Sequence, residues 1–468
     1  MNMQFKNIIK KVYYSFSANI ISLLISIITV IFLPKFMDIK SYGVWQLYLF
    51  YTSYLGFFHF GWIDGIYLRY GGYDFDKLNK ITFTNQFIAL LSLELIISIL
   101  GLFTISIIIN DYLLQQVFIF ACYVLVPIII TTFTNFILQI TNQIKEYAML
   151  TLFGRILFFI CLIIYFILGS DDYVELIYLD IISKIISLFY GIYLIRDLFI
   201  LKLDTISSII KETYQNLNVG SKLLLANIAG MLIIGIIRFG ISQVWDVETF
   251  GKISLTLNCS NFLMVFINAL SVVFFPILKR TDESKLTDIY IKIRTLLTST
   301  LLGFLIMYYP IKLILDWWLP KYQDSLIYMA ILLPICLFES KVSLLTNTYL
   351  KSLRQEKLML KINFGAVILS FVLTYMTTIL LHNLNLAVLS ILLLFAFRSV
   401  CSEILLSNLL NITLYKGVLQ EVLLVSLFVY INFIYLNLLI GFLTYTVIFL
   451  IYVYFNKSSI LYAIKIFK

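Results

Sequence analysis

Apolar residues run along this chain in long uninterrupted blocks rather than in alternation. Fourteen stretches can be drawn, near 14–34, 44–66, 83–109, 113–138, 148–169, 174–195, 220–243, 253–278, 294–314, 325–346, 360–381, 385–412, 420–436 and 438–455. Most approach the roughly 20 residues that carry a helix across hydrocarbon about 30 Å thick. None shows the period-2 alternation of a barrel strand. Helix bundles and closed barrels are the structures that satisfy every backbone group in lipid. The pattern therefore predicts an all-α polytopic membrane protein of about 14 transmembrane helices. The opening "MNMQFKNIIKK" leads into a stretch that ends at Pro34–Lys35 with no small-residue cleavage site. A first membrane helix, not a removed signal peptide, is expected there. The longest polar connection, roughly 197–219, is interleaved with Ile and Leu. It reads as an amphipathic helix lying on the membrane surface.

Composition sharpens this. The 468 residues are 61% hydrophobic and 13% charged, against about 25% charged in soluble domains, and mean hydropathy is +0.98. Of the 34 basic residues, 25 are assigned to the side of the N-terminus. Five fall on the other side (Lys35, Lys40, Lys252, Lys312, Lys321) and four within spans (Arg155, Lys184, Arg238, Arg398). By the positive-inside rule both termini are cytoplasmic. The net charge of +9 then faces anionic lipid headgroups, so membrane lipids are expected partners and nucleic acid is not.

Two polar phrases recur. "MDIKSYGVW" at 37–45 is answered 208 residues later by "WDVETFGKI" at 245–253, pairing Asp38, Ser41, Tyr42 and Gly43 with Asp246, Thr249, Phe250 and Gly251. At that offset Ala18, Asn19 and Ile20 recur as Ala226, Asn227 and Ile228. "TNFILQITNQIK" at 134–145 is echoed by "TNTYLKSLRQEK" at 346–357, an offset of 212. Each pair occupies equivalent places in the helix order. A duplicated six-helix unit is expected: residues 1–205, residues 206–413, and two added helices with a tail over 414–468. Both units start on the cytoplasmic side, so the repeats are parallel. Such halves usually enclose a substrate path and work by alternating access. Locally, Asp38 or Ser41 is expected to cap the next helix, with Gly43 relieving crowding at the bend.

Little in the chain points to catalysis. The five cysteines lie inside apolar runs without paired spacing, and two histidines build no metal site alone. No HExxH, CxxC, GxSxG or glycine-rich phosphate loop occurs. No enzyme, metal or cofactor is expected. Charges within spans carry more weight, since an Arg, Lys or Asp at the bilayer centre costs about 2.5–3.5 kcal/mol on insertion scales. Arg155, Arg238 and Arg398 and the isolated Glu94 are the candidates. Asp180 and Lys184, four apart on one helix face, are expected to neutralise each other. Glu403, five residues from Arg398, is off its face and reads as facing a cavity or solvent. Asn19 and Asn227 read equally well as substrate ligands and as helix–helix hydrogen bonds.

"FLPKFMDIKSYGVWQLY" and "GFFHFGWIDGIYLRYGG", with "VWDVETFG", Pro276 and "LKSLRQEKLMLKINF" further on, resemble bacterial polysaccharide (O-antigen, Wzx-type) flippases. These belong to the multidrug/oligosaccharidyl-lipid/polysaccharide exporter superfamily. The resemblance rests on Pro34, Lys35, Tyr42, Gly43, Gly61, Gly65 and Arg69. Ile237 precedes Arg238 where such proteins often carry an acidic residue. The resemblance implies movement of an undecaprenyl-pyrophosphate-linked oligosaccharide from inner to outer leaflet of the bacterial cytoplasmic membrane. It also implies a polysaccharide polymerase and chain-length machinery as candidate partners. A pyrophosphate crossing hydrocarbon requires a wet, cation-lined path, and the arginine fork binds phosphate bidentately. Arg155, Arg238 and Arg398 are the expected cavity cations, with pairing for packing as the open alternative. Arg69, Asn19 and Asn227 are further substrate candidates, although Arg69 equally satisfies the positive-inside rule. Glu94 and Glu403 are the candidates for ion coupling.

Rival functions fit less well. A multidrug exporter of the same superfamily should line its cavity with acidic groups for organic cations. A polysaccharide polymerase or ligase needs a sizeable outer loop, and no outer connection here exceeds about fifteen residues. A major-facilitator sugar transporter should carry a basic loop after its second span, which is missing.

Overall fold

The computed structural model describes residues 3–200, 202–279, 283–353, 355–434 and 437–464, with some side chains inside helices left out. The chain is 88% helical and has no strand among the described residues. It divides into two compact units, Met1–Ile228 and Ala229–Lys468.

The first unit contains α1 (Met3–Phe36), α2 (Ile39–Thr52), α3 (Trp62–Tyr70), α4 (Lys80–Ile108), α5 (Tyr112–Ile140), α6 (Ile144–Ile167), α7 (Tyr173–Leu194) and the start of α8 (Ile206–Val244). Within it α1 packs on α6, α4 on α5, and α7 on both α5 and α6. The second unit continues with α9 (Val247–Lys279), α10 (Glu283–Phe304), α11 (Tyr308–Trp318), then the short α12 (Gln323–Leu326), α13 (Met329–Leu332), α14 (Ile335–Ser340) and α15 (Asn347–Ser352). It ends with α16 (Glu356–Thr374), α17 (Leu384–Leu409), α18 (Tyr415–Ile434), α19 (Leu438–Phe455) and α20 (Lys457–Ile464).

Among the described residues, eleven helical segments are long and apolar enough to cross a membrane. The other three expected spans fall on α1, on α2 and α3, and on α9. Isoleucine and phenylalanine cover the outside: Phe103, Ile107, Ile167 and Phe189 are all exposed. In water so large an apolar surface would be an aggregation liability, whereas in lipid it is the solvent-facing side. The protein is a multi-pass, all-α membrane protein.

Two departures from the expected spans matter. The stretch 44–66 is not one helix. Ser53 ends α2, a 3₁₀ turn occupies Leu55–His59, and the chain then passes through Phe60 (φ 53°) and Gly61 (φ 87°) before α3 starts. The left-handed region is cheap for Gly61 alone of these two. The His59 Nδ1 accepts the Gly61 N–H at 3.0 Å, satisfying a donor that the break exposes. Nor is 197–219 a separate surface helix. From Ile206 onward it is continuous with the seventh span in the 39-residue α8, about 58 Å long at 1.5 Å per residue.

The tenth span is irregular in a different way. It is assembled from α13, α14, a π-helical turn at Lys341–Thr346, and α15, with Pro334 in the middle. Nearly all of it is buried among α9, α10 and α17. Irregular backbone at membrane depth is tolerated only where protein or a wet cavity satisfies it.

The repeated phrases fold alike. Asp38 accepts the Ser41 N–H at 3.2 Å and Asp246 accepts the Thr249 N–H at 2.8 Å, each capping the helix that follows. Tyr42 and Phe250 are both buried beneath. At the second echo, Gln143 N–H bonds Leu138 O (2.8 Å) and Gln355 N–H bonds Leu350 O (2.7 Å). Thr141 N–H to Ile137 O and Leu353 N–H to Tyr349 O match in the same way. The likeness fails at the second span, because α9 is unbroken where α2 and α3 are separate.

The Thr249 hydroxyl and N–H hold the Asp246 carboxyl below its ordinary range. Its folded pKa is therefore depressed. The stability it contributes is complete above the ordinary aspartate value of about 3.9 and fades as pH falls through the lower folded value. Asp246→Ala should cost about 1 kcal/mol at neutral pH, read as a lower Tm in detergent. Asp246→Asn should keep the cap and lose the acid-side dependence.

Candidate functional site

The polar side chains of the first unit gather at helix interfaces. Arg69 closes α3 and reaches α8. Its Nη1 donates to Glu212 Oε1 at 2.6 Å and Asn216 Oδ1 at 2.5 Å, and its Nη2 donates to Glu212 Oε2 at 3.3 Å and Gln215 Oε1 at 2.7 Å. The Tyr70 hydroxyl adds a bond to Glu212 at 2.7 Å. The guanidinium of this substrate candidate is thus taken up by a carboxylate and two amides. Below it, Gln86 Oε1 on α4 accepts from Trp62 Nε1 at 2.7 Å and Asn216 Nδ2 at 3.2 Å, so the network links three helices.

Asp180 and Lys184 form the expected ion pair on α7, and the Tyr48 hydroxyl donates to Asp180 at 2.6 Å. Buried His59 faces buried Asp64 with Nε2 and Oδ2 3.8 Å apart. Glu94 is fully buried in α4, and neither carboxyl oxygen has a hydrogen-bond partner among the described residues. A polar group left in that condition costs about 1–3 kcal/mol, which marks Glu94 as a chemically unspent carboxyl. Arg155 is exposed on α6 and Asn227 exposed on α8. Asn19 lies on α1, but its side chain is outside the described residues.

In the second unit the charges converge. Arg294 (α10), Lys341 (first residue of the π turn), Glu403 (α17) and Glu421 (α18) form a buried quartet of two cations and two carboxylates. Arg294 Nε donates to Glu403 Oε1 at 2.9 Å and its Nη2 to Glu421 Oε1 at 2.7 Å. Lys341 Nζ donates to Glu403 Oε2 at 2.6 Å and also to Glu421. The Thr298 hydroxyl completes Glu421 at 3.1 Å. Gly417, one turn before Glu421, makes the room: a Cβ there would lie 2.8 Å from Arg294 Nη1. The cluster is neutral overall, which is how four charges can be held out of water.

Arg398 lies on another face of α17. Its Nε donates to Asn363 Oδ1 at 3.0 Å and its Nη1 to Glu339 Oε2 at 2.8 Å. Arg238 Nη2 donates to Ser254 at 3.0 Å, with the guanidinium carbon 5.3 Å from the Phe250 ring centroid. Cation–π contact of this kind favours a partly dry site.

These positions revise the sequence expectations at three points. Glu403 faces neither solvent nor an open cavity, because Arg294 and Lys341 enclose it. Arg398 has the carboxylate partner foreseen as the alternative, now identified as Glu339. Lys341, counted on the cytoplasmic side although it stands in the 325–346 stretch, lies inside the tenth span and is fully buried. Arg294 and Glu421 escaped notice because each stands at the edge of its apolar stretch, where a charge reads as a terminal one. The signal was present for Glu339 and Lys341, two opposite charges inside a 22-residue apolar run at 325–346. All five cysteines are free, and among the described residues no group of three or more His, Cys, Asp or Glu side chains is placed to hold a metal.

Removing one member of the quartet leaves an uncompensated buried charge. Lys341→Met alone should destabilise by about 3–5 kcal/mol. Adding Glu421→Gln to it should recover more than half of that loss, because the remaining Arg294–Glu403 pair is again neutral. Thermal unfolding of the two single variants and the double variant measures the coupling.

No protein-family model matches the chain, and no curated protein matches it in sequence. Solved structures do match in fold. The chain is similar to the inward closed conformation of the lipid II flippase MurJ, with TM-score 0.63 and 13% identity over 97% of this chain and 100% of that one. It is also similar to an inward-facing multidrug resistance MATE family transporter of the MOP superfamily, with TM-score 0.54 and 14% identity over 88% of this chain and 98% of that one. The chain therefore has the fold these two transporters share.

Proposed function

We propose that this protein is a flippase for an undecaprenyl-pyrophosphate-linked oligosaccharide. It moves the repeat unit from the inner to the outer leaflet of a bacterial cytoplasmic membrane, with both termini cytoplasmic. The observation that carries the reading is the extent of the fold likeness. The flippase structure matches 97% of this chain and the drug transporter 88%. Lipid-linked substrates also present a phosphate charge, and intramembrane arginines are the groups that bind it.

In this reading two parallel six-helix halves, residues 1–205 and 206–413, alternate the access of the path between them, and the helices of 414–468 are additions. The echoed caps and turn hydrogen bonds support the duplication. Arg238, beside the Ser254 hydroxyl and the Phe250 ring, is a substrate cation in this reading. Arg155 is exposed and free to meet a headgroup phosphate, and Asn19 and Asn227 serve the sugar. Arg398 contributes when Glu339 lets go of it. Arg69 is held by Glu212 and meets substrate only if that pair opens. Glu94 is the ion-coupling group; Glu403 shares that role only if the quartet opens. A polymerase and chain-length machinery would take up the product.

Deletion of the gene should remove polymer from the cell surface while intact repeat units accumulate on undecaprenyl carrier. Plasmid-borne wild type should restore the polymer, and Arg238→Ala should restore it at least tenfold less well at equal membrane abundance. Unchanged polymer and carrier pools, with raised sensitivity to organic cations, would replace this reading with that of a drug exporter.

A further inference from the structure

The motif Gly61, Gly65, Arg69 is spaced by four, so it forms one stripe along α3 and the residue before it. The stripe meets a second set spaced by four on α8. A Cβ on Gly61 would strike the backbone of Gly220 and Ser221, and one on Gly65 would overlap the backbone of Asn216. A Cβ on Gly220 would in turn overlap Gly61 O. Arg69 closes the row on Glu212 at 2.6 Å. The register is antiparallel and in step: residues 61, 65 and 69 face 220, 216 and 212.

Three features set this contact apart from ordinary core packing. Its first two rungs are backbone against backbone, so no side chains interdigitate there. Its last rung is an ion pair whose side chains keep 24% and 18% of their exposure, near enough to water to re-solvate on parting. And α8 is shared between the two compact units: Ile206 to Ile228 belongs to the first, the remainder to the second. A helix that is covalently part of both units must bend or release one of them when the units move as bodies. The face it presents to α3 can be released without tearing apart a jigsaw of side chains.

We infer that the Arg69–Glu212 ion pair, supported by Asn216, Gln215 and Tyr70, is a latch that holds the first half of α8 on α3 in one state of the protein and opens in another. This rests on the reading of the chain as an alternating-access transporter, and not on the identity of its substrate. It also assigns the "GWIDGIYLR" stretch a role in conformational change.

Spin labels test it directly. Asp76, just beyond α3, and Tyr214, on α8, are both exposed. Both are replaced by cysteine in a chain whose five native cysteines have been substituted, and the purified full-length protein is labelled in lipid nanodiscs. Electron–electron distance measurement should give a short and a long population. Arg69→Ala should raise the long fraction at least threefold. Glu212→Gln, which keeps the side-chain shape and guards against a variant that does not fold, should raise it less. The exchange Arg69→Glu with Glu212→Arg should bring back the short population, which mere loss of packing would not explain. A single unchanged distance in the folded Arg69→Ala and Glu212→Gln variants, whatever their Tm, overturns the latch. Complementation of surface polymer is scored separately in the same variants. Labels that shift while deletion leaves the polymer untouched keep the latch and remove the flippase reading. Labels that never move while deletion blocks translocation do the reverse.

Discussion

Hydrocarbon offers no partner to a charge or to a free peptide group, and nearly every unusual feature of this protein is an answer to that constraint. The tenth span, broken by Pro334 and a π turn, is the most buried of the eleven apolar segments among the described residues. The break between α2 and α3 has its exposed Gly61 N–H taken by His59. Four buried charges of the second unit, Arg294, Lys341, Glu403 and Glu421, stand in a neutral quartet, each with at least two partners. Hydrogen bonds within helices handle the smaller polar groups: Thr134, Thr256 and Ser260 each donate to a carbonyl one turn back, as hydroxyls in apolar helices do. Against this background Glu94 stands out, buried and without a hydrogen-bond partner among the described residues.

The quartet also changes what the last helices mean. By repeat length alone α18 and α19 look like attachments. Yet Glu421 of α18 supplies half of the negative charge that Arg294 and Lys341 require. A second unit without α18 would hold two cations against one carboxylate, at a cost of several kcal/mol. Electrostatics therefore makes α18 an integral part of this unit's interior.

Much of the fold was legible in the sequence because the membrane imposes a long-wavelength signal. Apolar runs of helix length report spans whatever their packing partners, and a helix cap at Asp38 or Ser41 could be read from a short polar phrase. What stayed hidden depends on partners distant in the chain. Arg294 and Glu421 are 127 residues apart, and each taken alone is an ordinary charge at a span edge. Lys341 was absorbed by a positive-inside count although it lies in an apolar run beside Glu339. The interruption at Ser53–Gly61 contains no proline. Its Gly56 and Gly61 fit equally well in a packed membrane helix, where glycine is frequent. The stripe Gly61, Gly65, Arg69 was visible as a motif, but only the structure shows that Gly220, Asn216 and Glu212 meet it.

We propose transport of a lipid-linked oligosaccharide across the bilayer. Its most direct measurement uses the purified chain in sealed liposomes loaded on the inner leaflet with a polyprenyl-pyrophosphate oligosaccharide. Appearance of the sugar on the outer leaflet is then scored by an external, membrane-impermeant lectin. Protein-dependent appearance of sugar, weakened by Arg238→Ala, is the expected result. Lectin access that stays at the protein-free level, while an organic cation is transported by the same liposomes, would contradict it.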